Sequence, residues 1–342
     1  MQHLLSKGPL LDSSGVLSEA GYATALVKTY DRKAIRGGAF RIKEWDYYLI
    51  YNGKYALALT IADNSYMGLF SASFLDFEHR TEKTVSPMFW LPFGKTGFPA
   101  SSDSGDIHKS ISGASGSFTL ENGARHLTFH LDQFDGESAL DCDILLTDAP
   151  RDSMVIATPF AEKKTAFYYN QKIIAMRAAG SFSIGGVTRA FDPADSFGML
   201  DWGRGVWTYD NTWYWGAGQG VADGHVVGFN IGYGFGDVSA ASENMVFVDG
   251  VAHKLDRLTF NIPQTNGKED YLSPWTFSSS DGRFETSFTP ILDRAAYTAV
   301  GPLLSDQHQV FGYMDGTLTL DDGGKIQLNH FLCFSEKVRN KW

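Results

Sequence analysis

The chain is punctuated along its length by tight-turn dipeptides: Asn52-Gly53, Asn122-Gly123, Asp135-Gly136, Asp249-Gly250, Asn266-Gly267, Asp281-Gly282 and Asp322-Gly323. Such pairs supply the positive φ that two-residue β-hairpin loops demand. Between them run short stretches of β-branched and aromatic residues with a hydrophobic period of two. Residues 45–49, 55–61, 67–74, 126–131 and 139–145 show it in the first half, and residues 213–218, 226–235, 284–290 and 309–320 in the second. Hairpins joined in series make antiparallel barrels or sandwiches, so the pattern predicts an all-β fold. Helical spacing is confined to residues 17–30, where a short helix is expected, with residues 70–80 ambiguous. Residues 92–117, rich in Ser and Gly, read as a long loop over one barrel.

A length of 342 residues exceeds what one hydrophobic core usually serves, which predicts two β domains, residues 1–180 and 181–342. With 29 Lys and Arg against 39 Asp and Glu, the net charge is −10 and no basic run interrupts it. Nucleic acid, whose binding depends on neutralising phosphates, is therefore excluded as a partner. No window approaches the roughly 20 apolar residues of a membrane span, and residues 1–15 lack the apolar core of an export signal. A cytoplasmic protein, monomeric or homodimeric, is the expectation. Cys142 and Cys333 are too few and too far apart for a disulfide framework and read as buried free thiols.

One stretch is denser in chemistry than any other. Asp201, Trp202, Arg204, Trp207, Tyr209, Trp213, Trp215, Asn230, Tyr233, Glu243 and Asn244 fall within 44 residues, threaded by glycines. Aromatic walls with a few polar groups are how pockets hold apolar ligands, so this stretch is the candidate site. Strand alternation would put Trp207 with Tyr209, and Trp213 with Trp215, on shared faces. It would also line up Gly228, Asn230, Gly232 and Gly234 as a face with room for something bulky, either a ligand or the indoles themselves. Asp201 and Arg204 are spaced for a local ion pair around Gly203, and Glu243 offers a second carboxyl. Histidine spacing gives no metal site: His126 and His130 on one strand are roughly 13 Å apart. Gly216, Gly218 and Gly220 lead into a strand rather than a helix, which defeats a dinucleotide reading. Neither metal nor cofactor is expected.

The run Asp201-Trp-Gly-Arg-Gly-Val-Trp-Thr-Tyr-Asp, followed by Trp213-Tyr-Trp, Asn230-Ile-Gly-Tyr-Gly-Phe-Gly-Asp and Glu243-Asn244, resembles domain-of-unknown-function family 2804. Lys43-Glu-Trp-Asp-Tyr-Tyr, residues 63–66 and 167–172, and Gly312-Tyr-Met-Asp-Gly-Thr extend the resemblance over nearly the whole chain. More remotely, the layout is similar to the two-barrel lipocalin-like group of carotenoid 1,2-hydratase, tocopherol cyclase and kievitone hydratase. That resemblance implies two calycin-like barrels or half-barrels and an apolar lipid- or terpenoid-like ligand. It also implies cofactor-free hydration, isomerisation or cyclisation, with Asp201 as acid, Arg204 as anchor and Glu243 or Asn230 positioning water. Trp202, Trp207, Tyr209, Trp213, Trp215, Tyr233 and Asn244 would line the substrate. The sequence departs from those hydratases where Asp-Trp-Gly-Arg-Gly replaces an Asp-His-Gln-Trp-Gly type of run, removing a histidine. A lipid carrier, or a carbohydrate-active protein using Trp platforms and paired carboxylates, fits the same residues.

Overall fold

The computed structural model describes residues 2–342. The fold is all-β, with two antiparallel, lipocalin-like sheets packed face to face. The only helical turns among the described residues are two 3-10 segments, Arg32–Ala34 and Ala39–Arg41. The larger sheet has 14 strands. Its principal members are β1 (Ile42–Tyr51), β2 (Tyr55–Asp63), β3 (Met67–Asp76), β4 (Ala114–Glu121), β5 (Ala124–Asp135), β6 (Ser138–Thr147), β7 (Lys163–Ile184) and β8 (Phe197–Val206). The order is β3-β2-β1-β8-β7-β6-β5-β4, so β8 joins two hairpin series into one curled sheet. The second sheet has nine strands. Its principal members are β9 (Asp210–Ala222), β10 (His225–Tyr233), β11 (Met245–Val248), β12 (Phe284–Val300), β13 (Leu303–Thr319) and β14 (Lys325–Lys341), in the order β11-β10-β9-β14-β13-β12.

The strand pattern followed the turn signals, and several local expectations did not hold. Residues 17–30 form no helix: Gly21–Ala23 and Lys28–Thr29 are short strands, and the first pairs with Met154–Phe160. An unpaired sheet edge recruits this segment, and ladder hydrogen bonds override weak local helical spacing. Residues 107–111 and 114–117 belong to strands rather than to a loop. The remaining loop, residues 91–106, lies in the mouth of the larger sheet's concavity, where Arg204 donates to the Pro99 carbonyl and Arg125 to that of Ser102. The chain changes sheet between Val206 and Asp210, and Gly180 sits inside β7. Trp207 and Tyr209 therefore occupy the crossover between sheets and not a strand. Cys142 and Cys333 are buried and unpaired. Among the described residues no helix is long and apolar enough to cross a membrane.

All ten residues of β8 are buried. One face looks into the curl of its own sheet and the other onto the second sheet, which requires small residues wherever a large neighbour crosses. A Cβ at Gly203 would stand 1.9 Å from Trp45 Cζ2. Gly203→Ala should therefore cost about 1–3 kcal/mol through overpacking, read as a lower denaturant midpoint with an unchanged m value. Gly53→Ala, in a hairpin turn with nothing within 4 Å of the added methyl, should stay within about 0.5 kcal/mol of wild type.

Candidate active site

Strand alternation splits the sequence motif in two. Asp201 and Arg204 are three residues apart on an extended strand, so they point to opposite faces of β8 and do not pair. Arg204 faces the curl. Its Nη1 donates to Asp46 Oδ1 at 3.0 Å and to the Trp45 and Gly203 carbonyls at 2.8 and 2.9 Å. Its guanidinium lies 4.2 Å from the Trp202 ring and 4.8 Å from that of Phe98. Trp202 packs edge-on against Tyr30 and Tyr169 on the same side. Both residues belong to the packed interior of the larger sheet.

Asp201 faces the second sheet. Lys172, Asp201 and Tyr47 are register partners across β7, β8 and β1. Lys172 Nζ lies 2.8 Å from Asp201 Oδ2, and Asn170 Nδ2 donates to Asp201 Oδ1 at 2.6 Å. Opposite them runs a second row, Gly232, Trp215, Glu336, Gln309 and Arg294, in register across β10, β9, β14, β13 and β12. The two rows meet where Lys172 Nζ sits 3.8 Å from the centre of the Trp215 ring. Tyr47 touches the same indole edge-on at 6.1 Å. Trp215 Nε1 donates to Asn230 Oδ1 at 2.7 Å, and Asn230 Nδ2 donates to the Glu243 carbonyl at 2.9 Å and its Oε2 at 3.3 Å. Glu243 occupies the space over Gly232, whose added Cβ would lie 2.8 Å from Glu243 Oε1. The glycine face of β10 is thus filled by protein: Gly228 meets Ile174 in the same way.

The other aromatics form a wall beside this layer. Trp207 packs edge-on against Trp45, Trp213 and Phe235 with ring centres 4.7–5.9 Å apart, an arrangement favoured by the ring quadrupoles. Tyr209 is 41% exposed and its hydroxyl donates to the Pro302 carbonyl. Tyr233 stacks on Tyr214 in the core of the second sheet, away from Asp201. Asn244 accepts from the Gly232 amide at 2.7 Å and donates to the Asp256 carbonyl at 2.8 Å, which fixes the segment carrying Glu243. Of the expected residues, Asp201, Trp215, Asn230 and Glu243 converge, Trp207 and Trp213 flank them, and Arg204, Trp202, Tyr209 and Tyr233 lie elsewhere. Lys172, Asn170, Tyr47, Gln309 and Glu336 escaped the sequence reading. The signal for two of them was a polar triplet, Asn170-Gln171-Lys172, inside an otherwise apolar strand.

Lys172 is the cation common to three buried carboxyls and is ion-paired with only one of them, Asp201. Burial pushes the Glu243 carboxyl up, opposed by Lys172 and the Asn230 amide. Burial likewise pushes Glu336 up to about 7, against hydrogen bonds from Trp213 and Gln309 and the charges of Arg294 and Lys172. The layer therefore holds two carboxyls of raised proton affinity beside an ion pair. Between β7 and β10 a cleft of about 440 Å³ opens to the surface, with Ile174, Ala175, Val226, Gly228 and Phe247 among its lining. Ile174 and Gly228 each lie two residues along their strands from Lys172 and Asn230, roughly 7 Å. Their contact separates the cleft from the charged layer.

The sequence profile of the Domain of unknown function (DUF2804) matches residues 2–342. The chain belongs to that family. A search of curated proteins finds no match for this DUF2804 protein. Among solved structures, a candidate AttH from Nitrosomonas europaea aligns with a TM-score of 0.55 at 11% identity, covering 91% of this chain and 96% of that one. Kievitone hydratase from Nectria haematococca aligns at 0.47 and 12% identity over 93% and 97% of the two chains. CghA with Sch210972 aligns at 0.44 and 10% identity over 98% and 97%. At such identities the first likeness speaks to the fold alone.

Two outcomes follow from the buried charges. Lys172→Met leaves Asp201 unpaired and should destabilise the protein by about 3–5 kcal/mol, whereas Lys172→Met with Asp201→Asn should recover at least about half of that loss. The second outcome concerns pH. Because Glu336 binds its proton more tightly in the fold than at its ordinary value of 4.5, its stabilising contribution is complete below 4.5 and is lost as pH rises through about 7. Denaturant titrations should show Glu336→Gln gaining stability relative to wild type across that window, by on the order of 2–3 kcal/mol.

Proposed function

We propose that this DUF2804 protein binds a small molecule with an apolar body between its two sheets and converts it by cofactor-free proton transfer. Hydration, isomerisation or cyclisation of an alkene-containing lipid- or terpenoid-like substrate fits this chemistry. The observation that carries the reading is Glu243, a fully enclosed carboxyl pushed toward its protonated form, next to the Lys172–Asp201 pair and the Trp215 indole. A carboxyl whose proton affinity burial raises is the kind of group that protonates a double bond. The developing carbocation would meet the Asp201 carboxylate, which Lys172 and Asn170 fix in place before reaction.

In this reading the acid is Glu243, and Asp201 has a different part from the one the sequence suggested. Lys172 and Asn170 both donate to Asp201, an arrangement that serves a carboxylate, so Asp201 balances positive charge and orients Lys172. The cleft between β7 and β10 would take the apolar body, with Ile174 parting from Gly228 to admit the reacting end. Trp207 and Trp213 would back the layer as a rigid wall.

The test begins with lipid extraction and native mass spectrometry of the purified protein to find a bound molecule of defined mass. That molecule, incubated with the protein in deuterated water, should return with solvent deuterium at carbon. Glu243→Gln should lose about 100-fold or more in turnover while keeping its fold and its bound ligand. A ligand returned unchanged by wild type would mark a carrier, and full activity in Glu243→Gln would remove Glu243 from the acid's role.

A further inference from the structure

Three side chains of the inter-sheet layer face one another with hydrogen-bonding capacity left over. Tyr47 is 9% exposed, Gln309 3% and Glu336 7%. Among the described residues the Tyr47 hydroxyl has no hydrogen-bond partner, and neither has Gln309 Oε1. Yet Gln309 is a close polar neighbour of that hydroxyl, and the charges of Arg294, Glu336 and Asp201 reach it. Glu336 Oε1 accepts from Trp213 Nε1 at 3.0 Å, and its Oε2 accepts from Gln309 Nε2 at 3.0 Å. Gln309 thereby commits its amide N–H to the carboxyl and turns its carbonyl oxygen free. Buried polar groups ordinarily find partners, and an enclosed site with two to four such groups is where structural water resides. A phenol that can donate, a carbonyl that can only accept and a carboxyl form a complementary set for one water molecule: it accepts from Tyr47, donates to Gln309, and offers its second proton to Glu336.

We propose that Tyr47, Gln309 and Glu336 hold a single water molecule in the inter-sheet layer, and that Glu336 is the base that deprotonates it as it adds to the substrate. The base role rests on the reading of Glu243 as the acid. The two carboxyls flank Trp215 in one row of the second sheet, Glu243 over Gly232 on one side and Glu336 on the other. They are thereby placed on the two sides of the Trp215 side chain. Glu243 gives its proton to one alkene carbon, which forms a C–H bond and consumes the π pair. The water oxygen forms a C–O bond with the other carbon, and the proton it releases goes to the Glu336 carboxylate. The substrate gains one H2O, and the protein ends with Glu243 charged and Glu336 protonated, restored by exchange of one proton between them through solvent. Tyr47 and Gln309 are positioning residues: they fix the oxygen, and Glu336 takes the proton. A carboxyl that titrates near neutral pH, as burial makes Glu336 do, is populated in the charged form this step needs.

Crystal structures of wild type, Tyr47→Phe and Gln309→Leu test the site without any substrate. Wild type should show an isolated oxygen peak about 2.6–3.2 Å from both Tyr47 OH and Gln309 Oε1, and each variant should lose or displace it while keeping its fold. Direct bonding of Tyr47 to Gln309 or Glu336 with no peak, or density continuous with a larger molecule, would overturn the proposal. Infrared difference spectra between wild type and Glu336→Gln test the base: its protonated-carboxyl band should fade as pH rises through neutrality in the presence of Lys172, Asp201 and Arg294. A band that persists unchanged into alkaline solution would remove Glu336 as base. Because the peak is read in substrate-free protein, its absence sinks this inference and leaves Glu243 standing. Failure of deuterium uptake with the peak in place removes Glu243 as acid, and the base role of Glu336 with it, and leaves the water site standing.

Discussion

A strand buried on both faces must satisfy two interiors at once, and β8 does so with alternate residues. Its even-numbered side chains, Leu200, Trp202, Arg204 and Val206, complete the curl of the larger sheet. Its odd-numbered ones, with Asp201 among them, complete the layer between the sheets. Each interior contains an ion pair, Arg204 with Asp46 on one side and Lys172 with Asp201 on the other. Replacing either charge without its partner would strand an ion in low dielectric, so the two pairs lock the register of β1, β7 and β8 from opposite sides. The glycines at 203 and 205 follow from the same requirement, since the indole of Trp45 and the Phe167 carbonyl occupy the space a side chain would take.

The chemistry of the inter-sheet layer follows from an imbalance of charge. Arg204 is ion-paired with Asp46, while Lys172 pairs with Asp201 and also acts on Glu243 and Glu336. Proximity gives Asp201 the ion pair, and burial raises the proton affinity of the two glutamates. The aromatic residues matter to this outcome by exclusion of water. Trp213 and Trp215 also spend their indole N–H groups on Glu336 and Asn230, which ties the wall to the polar layer. The arrangement sets an ion-paired carboxyl beside two carboxyls of raised proton affinity in one buried layer, the kind of division that acid–base chemistry at constant pH needs.

Sequence alone carried the fold well because period-two hydrophobicity and Asn-Gly or Asp-Gly turns are local signals that report directly on hairpins. It singled out Asp201, Trp215, Asn230 and Glu243, which the fold brings together, because they cluster along the chain. It missed Lys172, Tyr47, Gln309 and Glu336 because cross-strand pairing brings them together from four separate strands, and no local spacing encodes that. The misassigned Asp201–Arg204 pair has a sharper cause. A three-residue offset suits a helix surface and is wrong for an extended strand, where odd offsets change face. The change of sheet between Val206 and Asp210 was hidden for a related reason, since a crossover between two sheets and a hairpin turn within one use the same residues.

The position of β14 has a kinetic consequence. It enters the middle of the second sheet, between β9 and β13, pairing Asp210 with Lys341 and Leu304 with the same lysine. The closure of β9 against β14 spans a long stretch of chain, and such non-local pairings dominate the time an all-β protein needs to reach its native state. Until β14 arrives, β9 presents an open hydrogen-bonding edge bearing two tryptophans, a surface on which unfinished molecules would cohere. Yield on refolding should thus be governed by concentration during this single late insertion.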